Sequence, residues 1–341
     1  MIIKSKAPLR LGLAGGGTDV SPYSDEFGGA VLNTTISLFA RAIIEPLDNG
    51  KIVLESHDLG EYQELESSMV LDIDRKLPLL KGVYNRIVKY YIKRPLSFRL
   101  TTIVDVPKGS GLGTSSTLTV AILGAFVEWL NLPLGDYEIA HLAYEIERKD
   151  LNLSGGKQDQ YAATFGGFNF IEFLKNDQVI VNPLRVKSLY RNLLEWNLVL
   201  YYTGTSRDSA DIIDSQTEEF KQKESEAINA AHSIKRIAYK MKESLLKGEI
   251  HKIGALLDEN WHDKKKMSKA ITNNSLDNVY QSAIAAGASG GKISGAGGGG
   301  FMMFYCPGNT KHKVIEALER FGGRAYNFVF EEDGLYTFTV K

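Results

Sequence analysis

Apolar and polar positions change period several times along this chain. Leu9 to Ala14 is a short apolar run that ends in glycines and is expected to be a strand. Residues 98–106, FRLTTIVDV, alternate apolar and polar, as a half-buried strand does. From Thr114 to Leu130 the period lengthens to that of a helix, with a Ser/Thr-rich start suited to an N-cap. Helices are predicted at 136–150 and 156–165, the latter stopped by Gly166-Gly167. FNFIEFL (168–174) and NLVLYYTG (197–204) read as strands, and a boundary is expected near Leu184–Leu193. A long charged helical region follows from Asp208 to Lys247. Its apolar positions, Ala227, Ala231, Ile234, Ala238, Met241 and Leu245, step by four and three, giving one narrow buried stripe on a solvated helix. Helices at 276–287 and 309–321 and strands at Phe301–Tyr305, 324–331 and 335–340 complete the chain. Strands and helices in this mixed order predict an α+β fold of mixed sheets packed with helices, in two domains of about 1–185 and 186–341.

Composition narrows the function classes. With 40 Lys plus Arg against 41 Asp plus Glu, the net charge is −1, so nothing favours nucleic acid as a partner. One cysteine, Cys306, excludes a disulfide framework or a cysteine-based zinc site, and the six histidines show no metal-like spacing. No apolar run reaches the roughly 18 residues of a membrane span, and the N-terminus lacks a signal-peptide pattern. The expectation is a cytoplasmic protein without membrane contact. In NWHDKKK (260–266), His262 and the lysines are expected to form a solvated face.

The 33 glycines gather in LAGGGTD (13–19), PKGSGLGTSS (107–116) and GASGGKISGAGGGG (287–300). Such clusters let a backbone approach an anion closely. Known fingerprints mostly fail. A Walker A loop ending at Gly291-Lys292 is excluded by Ala286 and Ile293. Gly295, Gly297 and Gly300 match a dinucleotide-binding spacing, but a strand follows where a helix is required. The second cluster has the right context: it follows a strand and opens a helix, whose first N–H groups and dipole favour an anion. The plainer alternative is a glycine-rich turn with an N-cap.

Taken in order, the three clusters resemble the motifs of the GHMP kinases, over essentially the whole chain. APLRLGLAGGGTD (7–19) is similar to the first motif, PKGSGLGTSS to the phosphate loop, and KISGAGGGG (292–300) to the third motif. Gly16-Gly17 stands where galactokinases have a Glu-His pair, and fucose kinases share this glycine-rich version. The resemblance implies an ATP-dependent sugar kinase with ATP and Mg²⁺, a sugar phosphate as acceptor, and ATP in a cleft between the domains. A homodimer is compatible with it.

Residue by residue, the resemblance implies that Asp159 is the catalytic carboxylate and Arg10 its basic partner. It implies that Lys108, Gly109, Ser110, Gly111, Leu112, Gly113, Thr114, Ser115 and Ser116 cradle the ATP phosphates, supported by Gly295, Gly297 and Gly298. Ser115 and Glu147 would hold Mg²⁺, with Glu145 and Asp150 as competitors for the carboxylate. Asp19 and Thr18 would take sugar hydroxyls, and Gly16 and Gly17 would leave room for a larger sugar. Lys157 and Arg207 are candidates for a distal phosphate. Two rivals remain. A dinucleotide-binding protein rests only on Gly295, Gly297 and Gly300, and a sugar and ATP sensor without turnover is opposed by the retained Asp159, Arg10, Glu147 and Ser115.

Overall fold

The computed structural model describes residues 1–205, 209–222 and 225–341, with Ser209 described by its backbone alone. The strands are β1 (Ile2–Ala14), β2 (Gly29–Pro46), β3 (Lys51–Ser56), β4 (Glu61–Glu66), β5 (Phe98–Val104), β6 (Phe168–Phe173), β7 (Val179–Pro183), β8 (Leu198–Tyr202), β9 (Gly290–Ile293), β10 (Phe301–Tyr305), β11 (Arg324–Tyr326) and β12 (Tyr336–Val340). The helices are α1 (Tyr23–Phe27), α2 (Pro78–Ile87), α3 (Thr114–Leu130), α4 (Asp136–Glu145), α5 (Gln158–Phe165), α6 (Ser188–Asn197), α7 (Ser209–Lys221), α8 (Ser225–Lys247), α9 (Ile253–Lys266), α10 (Asn274–Ala285) and α11 (Lys311–Glu319).

The strands form two sheets. The larger runs β12-β1-β2-β5-β3-β4, with β6 and β7 continuing from the far part of the long β2, and only the β3–β5 pair is parallel. The smaller runs β11-β8-β10-β9 and is antiparallel. The architecture is therefore α+β with mixed sheets and helices, as the order of periods predicts. β12 pairs with β1, so Tyr336–Val340 belongs to the first sheet, across the division at 185/186 expected from the sequence.

Two large apolar cores position the sheets. Ile44, Leu54, Phe98 and Leu100 of the first sheet pack against Tyr84 of α2 and Ile122 and Phe126 of α3. Leu11, Leu32 and Phe170 of that sheet share a core with Leu200, Phe301 and Met303 of the second sheet and with Ile237 and Met241 of α8. This shared core fixes the two sheets' mutual position. The predicted stripe from Ala227 to Leu245 is buried throughout, but Ala230 and Ile237 are buried as well, so α8 covers more than a single seam.

Elsewhere the periods mislead. The helix predicted over 136–150 is α-helical to Glu145 and then passes into a π-helical turn at Ile146–Asp150. The strand predicted at 324–331 contracts to β11, with Phe330 bridging to Ile36 alone.

Candidate active site

A cavity of about 540 Å³ opens between the halves of the chain. Its walls bring together residues from all three glycine clusters, including Gly17, Lys108, Gly111, Ser115 and Gly295. Arg10, Glu147, Asp159 and Lys264 line it too. One end is apolar, built from Leu77, Pro78, Leu79, Leu80, Val104, Val106 and Leu118.

Arg10 projects from β1 and is almost completely buried. Its Nε donates to Asp159 Oδ1 at 2.7 Å and its Nη1 to the Gly111 carbonyl at 2.6 Å. The expected pairing of these residues is thus made, and it ties the first turn of α5 to the phosphate loop. Asp159 lies against that loop, since a Cβ added at Gly113 would come within 3.0 Å of Asp159 Oδ2.

The loop alternates its backbone hand. Gly109, Gly111 and Gly113 have φ of +74°, +81° and +77°, while the residues between them do not. Alternation of this kind turns successive N–H groups towards one concave face, an anion nest. Gly113 then leads into α3, whose first-turn N–H groups have no intrahelical acceptor. The third cluster braces the loop. Phe301 N–H donates to the Ser110 carbonyl at 2.8 Å, and a Cβ at Gly111 would lie 2.4 Å from the Ser294 carbonyl oxygen. Gly295 faces Gly111 in the same way, whereas Gly297 and Gly298 pack on Ile271, with Gly298 N–H donating to its carbonyl. Ser110 Oγ is buried without a hydrogen-bond partner among the described residues, and Ser110 does not line the cavity.

Of the three candidate carboxylates, two are engaged by cations away from the cavity. Asp150 is held by both Nε and Nη2 of Arg86, and Glu145 by Arg86 and Lys149. Glu147 is buried, lines the cavity and accepts from Gln160 Nε2. Burial raises its pKa above the usual carboxylate range, partly offset by the Arg148 guanidinium and hydrogen bonds from Gln160 and Ser116, while Asp159 adds to the rise. The π-helical turn carries it: over Ile146–Asp150 Glu147 is buried, Arg148 also reaches the cavity wall, and Lys149 stays outward. A buried carboxylate among the hydroxyls of Thr114, Ser115 and Ser116 is a hard oxygen donor set, which suits Mg²⁺. Among the described residues there is no cluster of three or more His, Cys, Asp or Glu able to hold a metal.

At the acceptor end the expected ligands are already engaged. Asp19 accepts from Gly17 N–H, Lys157 N–H, Gln158 N–H and Gln158 Nε2 at 3.0–3.1 Å. Four donors fill a carboxylate's capacity, so a sugar hydroxyl must displace one of them. Thr18 Oγ1 bonds to the Gly15 and Ala30 carbonyls and accepts from Ala30 N–H, closing the turn. Lys157 Nζ pairs with Asp177 at 2.7 Å and Asp25 at 3.3 Å, which neutralises it. Arg207 lies outside the described residues.

One expectation about the lysine run is corrected. His262 and Lys266 are exposed, but Lys264 is only 3% exposed. Its Nζ donates to the Gly16 carbonyl at 3.1 Å and to Gln216 Oε1 at 3.2 Å. Burial lowers its pKa to about 8, Arg10 adding to the drop and Asp19 opposing it. The sequence carried the signal: Ile253, Leu257, Trp261 and Lys264 step by four, four and three, which puts this lysine on the apolar stripe of α9. Gly17, at φ +101°, makes the space, because a Cβ there would lie 2.7 Å from Lys264 Nζ. Gln158, Gln160 and Gln216 were also missed, since glutamines carry no periodic or charge signature.

The patterns for the GHMP kinases N terminal domain and the GHMP kinases C terminal domain match residues 78–167 and 241–324. Over 338 residues, 99% of both chains, the sequence is 48% identical to the D-glycero-alpha-D-manno-heptose 7-phosphate kinase of Campylobacter jejuni. The crystal structure of a D-glycero-D-manno-heptose 1-phosphate kinase from Bacteroides thetaiotaomicron superposes with a TM-score of 0.86 at 47% identity, covering 99% of each chain. Galactokinase from Lactococcus lactis, complexed with galactose, is 19% identical with a TM-score of 0.77, covering 99% of this chain and 95% of that one, a likeness of fold alone.

Proposed function

We propose, from the premise that this chain belongs to the GHMP kinase family and is an ATP-dependent sugar kinase, that its acceptor is D-glycero-D-manno-heptose 7-phosphate. The γ-phosphoryl group of ATP would pass to the anomeric O1, giving the 1,7-bisphosphate. Support for the acceptor comes from the relative in Campylobacter jejuni, whose description names that substrate. The name of the Bacteroides thetaiotaomicron protein puts the phosphate on carbon 1 instead, so the position is for experiment to decide. We further propose that residues 1–185 and 186–341 act as two functional units, with strand Tyr336–Val340 joined to the first.

One observation carries the chemistry: the half-buried Arg10–Asp159 pair lies against the start of α3. ATP would place its base in the apolar end of the cavity and its phosphates over the nest. Asp159 would orient the acceptor hydroxyl and take its proton as the oxygen attacks the γ-phosphorus. The bond to the bridging oxygen breaks and ADP leaves. Arg10, the α3 amides and the loop N–H groups would stabilise charge that develops on the transferred group, in a site preorganised for it. Ser115 and Glu147 are the residues that would hold Mg²⁺, which would neutralise charge on the phosphates.

An acceptor panel with ATP tests the substrate: heptose 7-phosphate, unphosphorylated heptose, fucose, galactose and mannose, with the product position read by phosphorus NMR. The expected result is preferential turnover of heptose 7-phosphate with a new anomeric phosphate signal. Background turnover of heptose 7-phosphate alongside good turnover of fucose would overturn the reading.

A further inference from the structure

Among the described residues four lysines are buried: Lys81, Lys157, Lys264 and Lys292. Lys81 pairs with Asp74, and Lys157 with Asp25 and Asp177. Lys264 and Lys292 make no ion pair within 4.0 Å among the described residues, and of these two only Lys264 lines the cavity. Lys292 instead gives its charge to the Gly12 carbonyl beneath β1. A buried ammonium without a carboxylate is unfavourable unless an anion completes its shell. Lys264 has three donors and two acceptors, the Gly16 carbonyl and Gln216 Oε1.

The other cations on the cavity wall are committed elsewhere. Arg10 is held by Asp159 and the Gly111 carbonyl, and Arg148 by the carbonyls of Leu153 and Gly156. Lys108 is exposed at the rim of the phosphate loop. Lys264 approaches from α9, on the side of Gly16, Gly17 and Asp19 rather than of the phosphate loop. An acceptor that reaches from Asp159 to the turn of Gly16 and Gly17 meets Lys264 there.

We propose that Lys264, fixed by Gln216 and admitted by the missing side chain at Gly17, is the specificity-determining cation that receives the phosphate already carried by the acceptor. This rests on the sugar-phosphate reading above. Lys264 takes no part in the transfer itself. It selects acceptors that bring an anion to the turn of Gly16 and Gly17, the role that the sequence offers to Arg207, which lies outside the described residues, and to Lys157, whose charge is spent on Asp25 and Asp177.

The test uses the full chain with Lys264→Met and Lys264→Gln, both close in length to lysine and uncharged. The readout is the ratio of kcat/KM for heptose 7-phosphate to that for unphosphorylated heptose, with kcat and KM resolved separately. The ratio should fall by about 10–100-fold in both variants, the range for losing one charge-assisted contact, with the loss carried by KM for the phosphorylated acceptor. Thermal melting monitors the fold. An equal loss on both acceptors, a loss confined to kcat, or an unchanged ratio would overturn the assignment. The two readings fail distinguishably. Wild-type preference for an unphosphorylated sugar overturns the substrate and this inference together. Wild-type preference for the phosphate with an unchanged ratio in Lys264→Met overturns this inference alone.

Discussion

Replacing Asp159 by asparagine separates chemistry from architecture. Asp159 Oδ1 accepts from Arg10 Nε at 2.7 Å, and Arg10 keeps a second bond to the Gly111 carbonyl. Asparagine retains an oxygen for the guanidinium, so the contact falls from charge-assisted to neutral acceptor. That difference is about 1–2 kcal/mol, and the 22% exposure of the Asp159 side chain points to the lower end. The melting temperature should drop by no more than about 2–4 °C. The proton-accepting function, by contrast, is lost outright. A positioned acid–base group contributes about 10²–10⁴-fold, or roughly 3–5 kcal/mol of barrier. The chemical loss thus exceeds the structural one by a wide margin, and the two are separable in one preparation. Coupled ADP release at saturating ATP and acceptor gives kcat, and calorimetric titration gives ATP affinity. The expected outcome is a folded, ATP-binding enzyme slowed by at least a hundredfold. A kcat within about tenfold of wild type, with folding intact, would refute the role assigned to this carboxylate.

Three other perturbations probe neighbouring parts of the site. Glu147→Gln should raise the Mg²⁺ concentration for half-maximal rate while Asp150→Asn leaves it unchanged, because Asp150 spends its oxygens on Arg86; the reverse pattern in a Mg²⁺ titration would reject the assignment. Gly111→Ala forces a Cβ to within 2.4 Å of the Ser294 carbonyl at φ +81°. It should cost about 1–3 kcal/mol and weaken ATP binding, and a normal KM for ATP would show that the nest tolerates the change. Stability should also depend on pH through Lys264, whose pKa burial lowers from the ordinary 10.5 to about 8, with Asp19 opposing and Arg10 adding to the depression, and Lys292 as a further cation beside it. Between about pH 8 and 10.5 the unfolded chain holds a proton the folded chain has released, so stability rises with pH, by at most about 1.4 kcal/mol per unit. Lys264→Met lacks that gain, and parallel urea melts of the two proteins from pH 8 to 10 would expose its absence.

Much of the fold was legible because its periods are local. Thr114–Leu130 and Phe301–Tyr305 have the bounds their patterns predict. Three glycine motifs named the family because close backbone approach tolerates no other residue at positions such as Gly111. What escaped was set by contacts remote in sequence. Lys264 reads as one member of a solvated lysine run until Gly17 and Gln216, 247 and 48 residues away by numbering, are seen to enclose it. The saturation of Asp19 by Gln158 and Lys157 was invisible for the same reason. The π-helical turn that carries Glu147 leaves no mark in a period of 3.6, which is why Asp150 competed with it.

The pairing of Tyr336–Val340 with β1 has a consequence for how the protein is made. β1 carries Arg10, and its outer edge stays unsatisfied until a partner more than 320 residues later in the sequence arrives, Ile2 meeting Val340 and Lys6 meeting Tyr336. At ribosomal speeds of roughly 5–20 residues per second, that edge waits on the order of 15–60 seconds as an open hydrogen-bonding template. During that interval the nascent chain already holds the phosphate loop and Asp159. The stretch of β1 that carries Arg10 is by then paired with β2, and only the edge over residues 2–6 remains open. The waiting edge is the place where a chaperone or a stray strand would find the young chain first.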